Sequence, residues 1–169
     1  MKQEGMLTWD LLQGNLVRQV DAYQRLDVLL ASENQVLIHH KVEKLIEITA
    51  RKEQINFELQ QFRADYFHLV SQIILGERPD QMTVEELIAL APIPFREPLT
   101  AIQHQLETLA KSIQKKNIIN QGLLDQSMRY VSYMVKKMIE LNNVPQHVYC
   151  QRGYSQVLGE HQTLMSVVA

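Results

Sequence analysis

Residues 99–141 read LTAIQHQLETLAKSIQKKNIINQGLLDQSMRYVSYMVKKMIEL, and their apolar spacing decides the fold. Leu99, Ile102, Leu106, Leu109 and Ile113 recur at steps of three and four residues. Asn117 and Asn120 take the next stations, and Leu124, Ser127, Val131, Met134, Met138 and Leu141 resume the pattern. That period belongs to an amphipathic helix packed along its length against another helix. A buried amide without a partner costs about 1–3 kcal/mol. Two asparagines on such a seam therefore specify register, a partner or an opening.

A second long pattern precedes it, from about Thr8 to Leu75. Its stripe runs through Leu26, Leu30, Glu33, Leu37, Lys41, Leu45, Ile48, Lys52, Ile55, Leu59, Phe62, Tyr66, Leu69 and Ile73, with a slip near Lys41. Trp9, Leu12, Leu16, Val20 and Tyr23 extend an apolar face upstream. The spacing predicts one continuous helix of roughly 100 Å at 1.5 Å per residue. Gly76 and Pro79 end it. Thr83-Val-Glu-Glu86 is a capping box that starts a short helix to about Ala91. Pro92, Pro94 and Pro98 then predict an irregular connector, with Pro98 in the first turn of the last helix. Pro145 stops that helix near Asn142-Asn143.

The expected architecture is all-α: a long antiparallel, coiled-coil-like helical hairpin over residues 1–143, with a connector at 76–98 that carries a short helix. No β-sheet is expected, and a strand pairing within 20–75 or 99–142 would contradict the assignment. With Ile73 near Leu99, Lys52 falls opposite Asn120 and Lys41 opposite Val131, to within one turn. Residues 144–169 show no helical or strand period and form an irregular tail. If ordered, this tail could fold back beside Trp9 to Tyr23.

Composition agrees with extended helical packing. Of 169 residues 46% are hydrophobic but only 7% aromatic, with six glycines and five prolines, too few for a turn-rich sheet fold. A net charge of −2 with interspersed signs gives no footprint for nucleic acid or an anionic membrane. No apolar run approaches a membrane span, and no signal-peptide core follows Met-Lys-Gln-Glu-Gly. A cytoplasmic protein is expected. The single cysteine, Cys150, has no intrachain partner and no paired histidine that would make it a nucleophile. His39 and His40 point about 100° apart on a helix, and His68 and His104 lack companions at ligand spacing. No enzyme, metal or cofactor is expected.

The last helix is apolar on more than one side after Leu123. Leu124, Val131, Met134 and Met138 continue the inner stripe. Met128, Val135 and Ile139 form a second one about 100° away, widened by Tyr130 and Tyr133. One partner helix covers one stripe, so the inner stripe is expected to be covered. The second needs another contact: a guest helix, a third helix of this chain, or a dimer mate. Flexible methionine thioethers suit a surface that repacks around different guests.

Asn117-Ile-Ile-Asn120-Gln-Gly-Leu123-Leu124 resembles the Asn-x-x-Asn-x-x-Leu-Leu signature of the FlgN family of flagellar export chaperones. Leu29-Leu30-Ala-Ser-Glu33-Asn-Gln-Val-Leu37, followed by Lys52-Glu-Gln-Ile55, resembles the family's first helix. Val148-Tyr149-Cys-Gln-Arg-Gly153 resembles its tyrosine–glycine motif. The resemblance covers most of residues 16–153; the extended connector and longer N-terminal segment depart from it. It implies a chaperone that holds hook–filament junction (hook-associated) proteins in the cytoplasm, pairing their C-terminal helical segment with its own last helix. The implied client surface is Leu124, Met128, Val131, Met134, Val135, Met138 and Ile139. Tyr149 matches the tyrosine that docks the loaded chaperone on the flagellar export gate, and Asn117, Asn120, Lys52 and Glu33 form the signature and seam.

The competing assignment is a structural coiled-coil adaptor whose seam serves only its own homodimer. A phosphotransfer bundle is a weaker third, because His39-His40-Lys41 lacks the glycine that such a site carries. The first two differ at the second stripe, which a chaperone leaves open and a structural dimer seals.

Overall fold

The computed structural model describes residues 2–74, 82–142, 147–149 and 155–157, with side chains at 5–74 and 82–141. In chain order come α1 (Lys2–Ile38), α2 (Val42–Ile73), α3 (Val84–Leu90), α4 (Ile93–Asn142), β1 (His147–Tyr149) and β2 (Ser155–Val157). The chain divides into two compact units, residues 1–125 and 126–169. Among the described residues, no strand involves 20–75 or 99–142, so the helical reading holds over both long patterns.

The continuous first helix does not form. The chain turns at His39–Lys41, where His40 adopts φ 52°. His40 N–H donates to the Leu37 carbonyl (3.3 Å) and Lys41 N–H to the Val36 carbonyl (3.1 Å). This pair of bonds is a Schellman cap, in which one left-handed residue ends a helix and satisfies its last carbonyls. Histidine is among the few non-glycine residues that tolerate that conformation. The apolar slip near Lys41 was its only trace in the stripe.

The turn converts the expected two-helix hairpin into three long helices. α1 and α2 are antiparallel: Asn15 Nδ2 donates to the Phe62 carbonyl (3.1 Å) and Arg25 pairs with Glu58 (2.6 Å). α4 runs parallel to α1, with Trp9 stacked on Phe95 at 6.4 Å and Ser112 bonded to Asp27. α2 is therefore the antiparallel neighbour of α4.

Trp9, Leu12, Leu16 and Val20 are buried with Val70 of α2, Leu87 of α3 and Phe95, Leu99 and Ile102 of α4. The body's own helices cover the N-terminal turns; the fold-back considered for the tail lies outside the described residues. A second cluster joins Ala22, Leu26, Leu30, Ile55 and Ile113. Fully burying each leucine of this kind contributes about 1.5–3 kcal/mol.

Thr83 caps α3 as its sequence predicts: its side chain accepts from Glu86 N–H (3.3 Å), and the Glu86 carboxylate accepts from Thr83 N–H (2.8 Å). The last helix starts earlier than the prolines suggest, at Ile93. Pro94 falls in the first turn, where a missing N–H loses no intrahelical bond. Pro98 lies one turn further in and forfeits one such bond. Offsetting that loss, Phe95 and Leu99 are buried, and Arg96 donates to the Ala91 (2.8 Å) and Ala89 (3.1 Å) carbonyls at the end of α3.

The expected helix stops at Gly76–Pro79 and Pro145 lie outside the described residues. In the tail, β1 and β2 form an antiparallel ribbon with Tyr149 opposite Ser155. This six-residue pairing differs from the expectation of an irregular tail without a sheet. Val148, Tyr149 and Val157, all strand formers, give the paired residues a local preference for it.

Candidate functional site

Asn120 is 4% exposed and Glu33 8%, and both lie at a three-helix junction. Asn120 Nδ2 donates to Glu33 Oε2 (2.9 Å) and to the Leu30 carbonyl (2.9 Å), while its Oδ1 accepts from Asn34 Nδ2 (2.9 Å). From α2, Lys52 Nζ reaches both Glu33 oxygens at 2.9 and 3.1 Å. The structure thus places Lys52 and Asn120 on one carboxylate, which belongs to α1. Buried polar groups are tolerable only when satisfied, and among the described residues no buried side-chain nitrogen or oxygen lacks a partner. A one-turn slip of α4 would strand several of these groups. The node fixes register.

A second tie lies two turns earlier on α4. Ser112 Oγ donates to Asp27 Oδ1 (2.6 Å), and Lys116 Nζ pairs with the same oxygen at 2.7 Å. The Lys116 hydrogen bond, followed by that from Ser112, holds the Asp27 carboxyl below the usual carboxylate range. Burial pushes the Tyr66 phenol up.

Asn117 does not join the node; its side chain is exposed and makes no hydrogen bond among the described residues. Beyond Asn120 the environment of α4 changes. Leu124 is 42% exposed and Met138 65%, and Met128, Val131, Met134, Val135 and Ile139 are exposed with them. Among the described residues the expected covering of the inner stripe is not seen, and the named side chains of both stripes are exposed. α1 ends at Ile38, little more than a turn after Glu33, whereas α4 continues from Asn120 to Asn142. Lys41, expected opposite Val131, sits in the turn, and each of the two residues is exposed. Tyr149 belongs to β1 by its backbone; its side chain, with Cys150 and Gly153, lies outside the described residues.

A family model described as FlgN protein matches residues 6–156. The chain belongs to the FlgN family. This is a family of flagellar export chaperones, not of enzymes, and membership carries the general role of binding flagellar proteins. Neither a curated protein nor a solved structure matches the chain. The match takes in the connector and residues 6–15 of the N-terminal segment that the short motifs left out. Among the described residues of this FlgN family member, no helix is long and apolar enough to cross a membrane. No group of three His, Cys, Asp or Glu there is placed to hold a metal.

Sequence reasoning missed Asn34, the fourth side chain of the node, and Asn15, which is fully buried between Phe62 and Gln19. Asn15 carries a faint signal, standing three residues after Leu12 and beside Leu16 on the apolar face. Asn34 carries none, because the stripe credits only its neighbour Glu33.

Proposed function

We propose that this chain is a cytoplasmic chaperone of hook-associated proteins, which takes a client helix along the second half of α4 and delivers it to the flagellar export gate. The observation that carries the reading is the exposure of both stripes between Leu124 and Leu141 on an otherwise regular helix. Contiguous apolar surface of this kind marks interaction sites. An amphipathic guest would bury it in the helix-in-groove mode, and Met128, Met134 and Met138 can repack around more than one guest.

Val135→Asp tests it. A charge forced into an apolar contact costs several kcal/mol unless it finds a partner. Co-purification with hook-junction proteins should be lost while helicity and the melting curve stay unchanged. If the variant dissociates a homodimer and leaves client binding intact, the stripe serves a structural dimer instead. Tyr149 supplies the gate contact in this scheme, by its match to the family motif. Tyr149→Ala should keep client binding but weaken the loaded complex on the purified gate by roughly 2 kcal/mol, the scale of an aromatic anchor. Equal affinities would remove Tyr149 from the docking role.

A further inference from the structure

A cleft of about 640 Å³ opens in the helical body, with the half-buried Leu59 and Leu106 on its apolar lining and the buried Leu16, Leu26, Leu99 and Ile102 at its floor. Val84 and Ile88 of α3 also line it. A second cleft of about 390 Å³ shares Tyr23 and Leu106 with the first and follows α4 to Asn117 and Gln121. From Leu99 to Gln121 this track is about 33 Å long at the helical rise. Three packed helices leave such a trough where a four-helix bundle would hold its fourth member.

The charges along it are unbalanced. Glu85 and Glu107 both accept from a single donor, Gln103 Nε2, at 2.6 and 3.0 Å. Neither meets a lysine or arginine among the described residues, and His104 approaches Glu107 only to 4.0 Å. On the α2 side, the Arg63 guanidinium lies 5.6 Å from the centre of the Phe67 ring and pairs with no carboxylate among the described residues. Asn117, unused by the node, offers a free amide further along. A purely apolar small molecule would need none of these groups. A helix with an apolar face, a basic residue on the flank toward α3 and α4 and an acidic one toward α2 would use all of them.

We infer that this trough is a second docking site for such an amphipathic helix of the exported client, separate from the stripes at 124–141. The inference rests on the chaperone role proposed above. In a Cys150→Ser background, single cysteines are placed at Gln60, on the cleft, and at Lys111, exposed and on neither cleft. Maleimide labelling is followed with and without a purified full-length hook-junction client. Bound client should slow labelling of Gln60→Cys about tenfold and leave Lys111→Cys unchanged. Arg63→Glu with Glu107→Lys should weaken client binding about tenfold.

Co-elution of client with equal labelling at both positions overturns the trough as a site and leaves the chaperone role standing. Failure of the parent chain to bind client removes both. Slower labelling at higher chaperone concentration without client would assign the trough to a second copy, against the proposal. Protection and affinity that ignore the charge reversal would overturn the charged-flank assignment.

Discussion

The two halves of α4 share a period and a continuous backbone, yet they live in different surroundings. Before Asn120 the stripe packs against other helices, with Leu99, Ile102 and Ile113 buried and Leu106 and Leu109 half-buried. After it come Leu124, Met128, Val131, Val135 and Ile139, all exposed. Periodicity identifies the apolar face of a helix, but not whether anything covers it. Neighbouring elements decide that, and α1 itself ends at the His39–Lys41 turn.

The sharpest test of this contrast compares aspartate at two stripe positions. Leu99→Asp, at a site 2% exposed, should cost several kcal/mol and unfold the body, seen as a collapsed urea midpoint. Val135→Asp should leave that midpoint in place. Similar losses at both sites would erase the distinction. Deleting packing without adding charge is gentler: Leu12→Ala, at a fully buried site, should cost about 2–5 kcal/mol by the same measurement.

Asn120→Ala addresses the boundary between the halves. It removes one of the two donors to Glu33 Oε2, which keeps Lys52, and the acceptor of the Asn34 amide, and should cost about 1–3 kcal/mol in urea unfolding. A neutral result would mean that apolar packing alone sets the register of α4.

The smallest effect belongs to Asp27→Asn, about 1 kcal/mol at neutral pH. Because the folded carboxyl titrates below its unfolded value of about 3.9, its stabilisation is present above that pH. It is lost as pH falls through the lowered folded value. The stability gap between parent and variant should therefore be full above about pH 4 and close below it. A gap that persists in strong acid would show that Lys116 and Ser112 do not act through the charge.

Much of this was legible in residue spacing. The stripe of α4, the Thr83–Glu86 cap and the convergence of Lys52 with Asn120 all follow from period and local chemistry. The break at His39–Lys41 was not, because no glycine or proline marks it and its left-handed residue is a histidine. With that turn unseen, α1 and α2 merged, and the N-terminal apolar face had no visible partner. Pro98 misled in the other direction: the buried contacts of Phe95 and Leu99 outweigh one absent backbone bond. At the candidate site, residue type marked the apolar positions. Their exposure depended on where distant elements stop, which no local window reports.

The His39–Lys41 turn also bears on the order of assembly. Glu33 and Lys52 are 19 residues apart in the chain, whereas Glu33 and Asn120 are 87 apart. Closing the shorter loop costs less entropy, so the α1–α2 pair should form early, carrying its buried carboxylate already clamped by lysine. α4 then docks onto a prepared acceptor. Mutational effects on refolding rate should concentrate at Leu30 and Ile55, and effects at Asn120 should appear mainly in unfolding. An element that arrives last is also the first to leave under the same conditions, so α4 should detach while α1 and α2 stay paired.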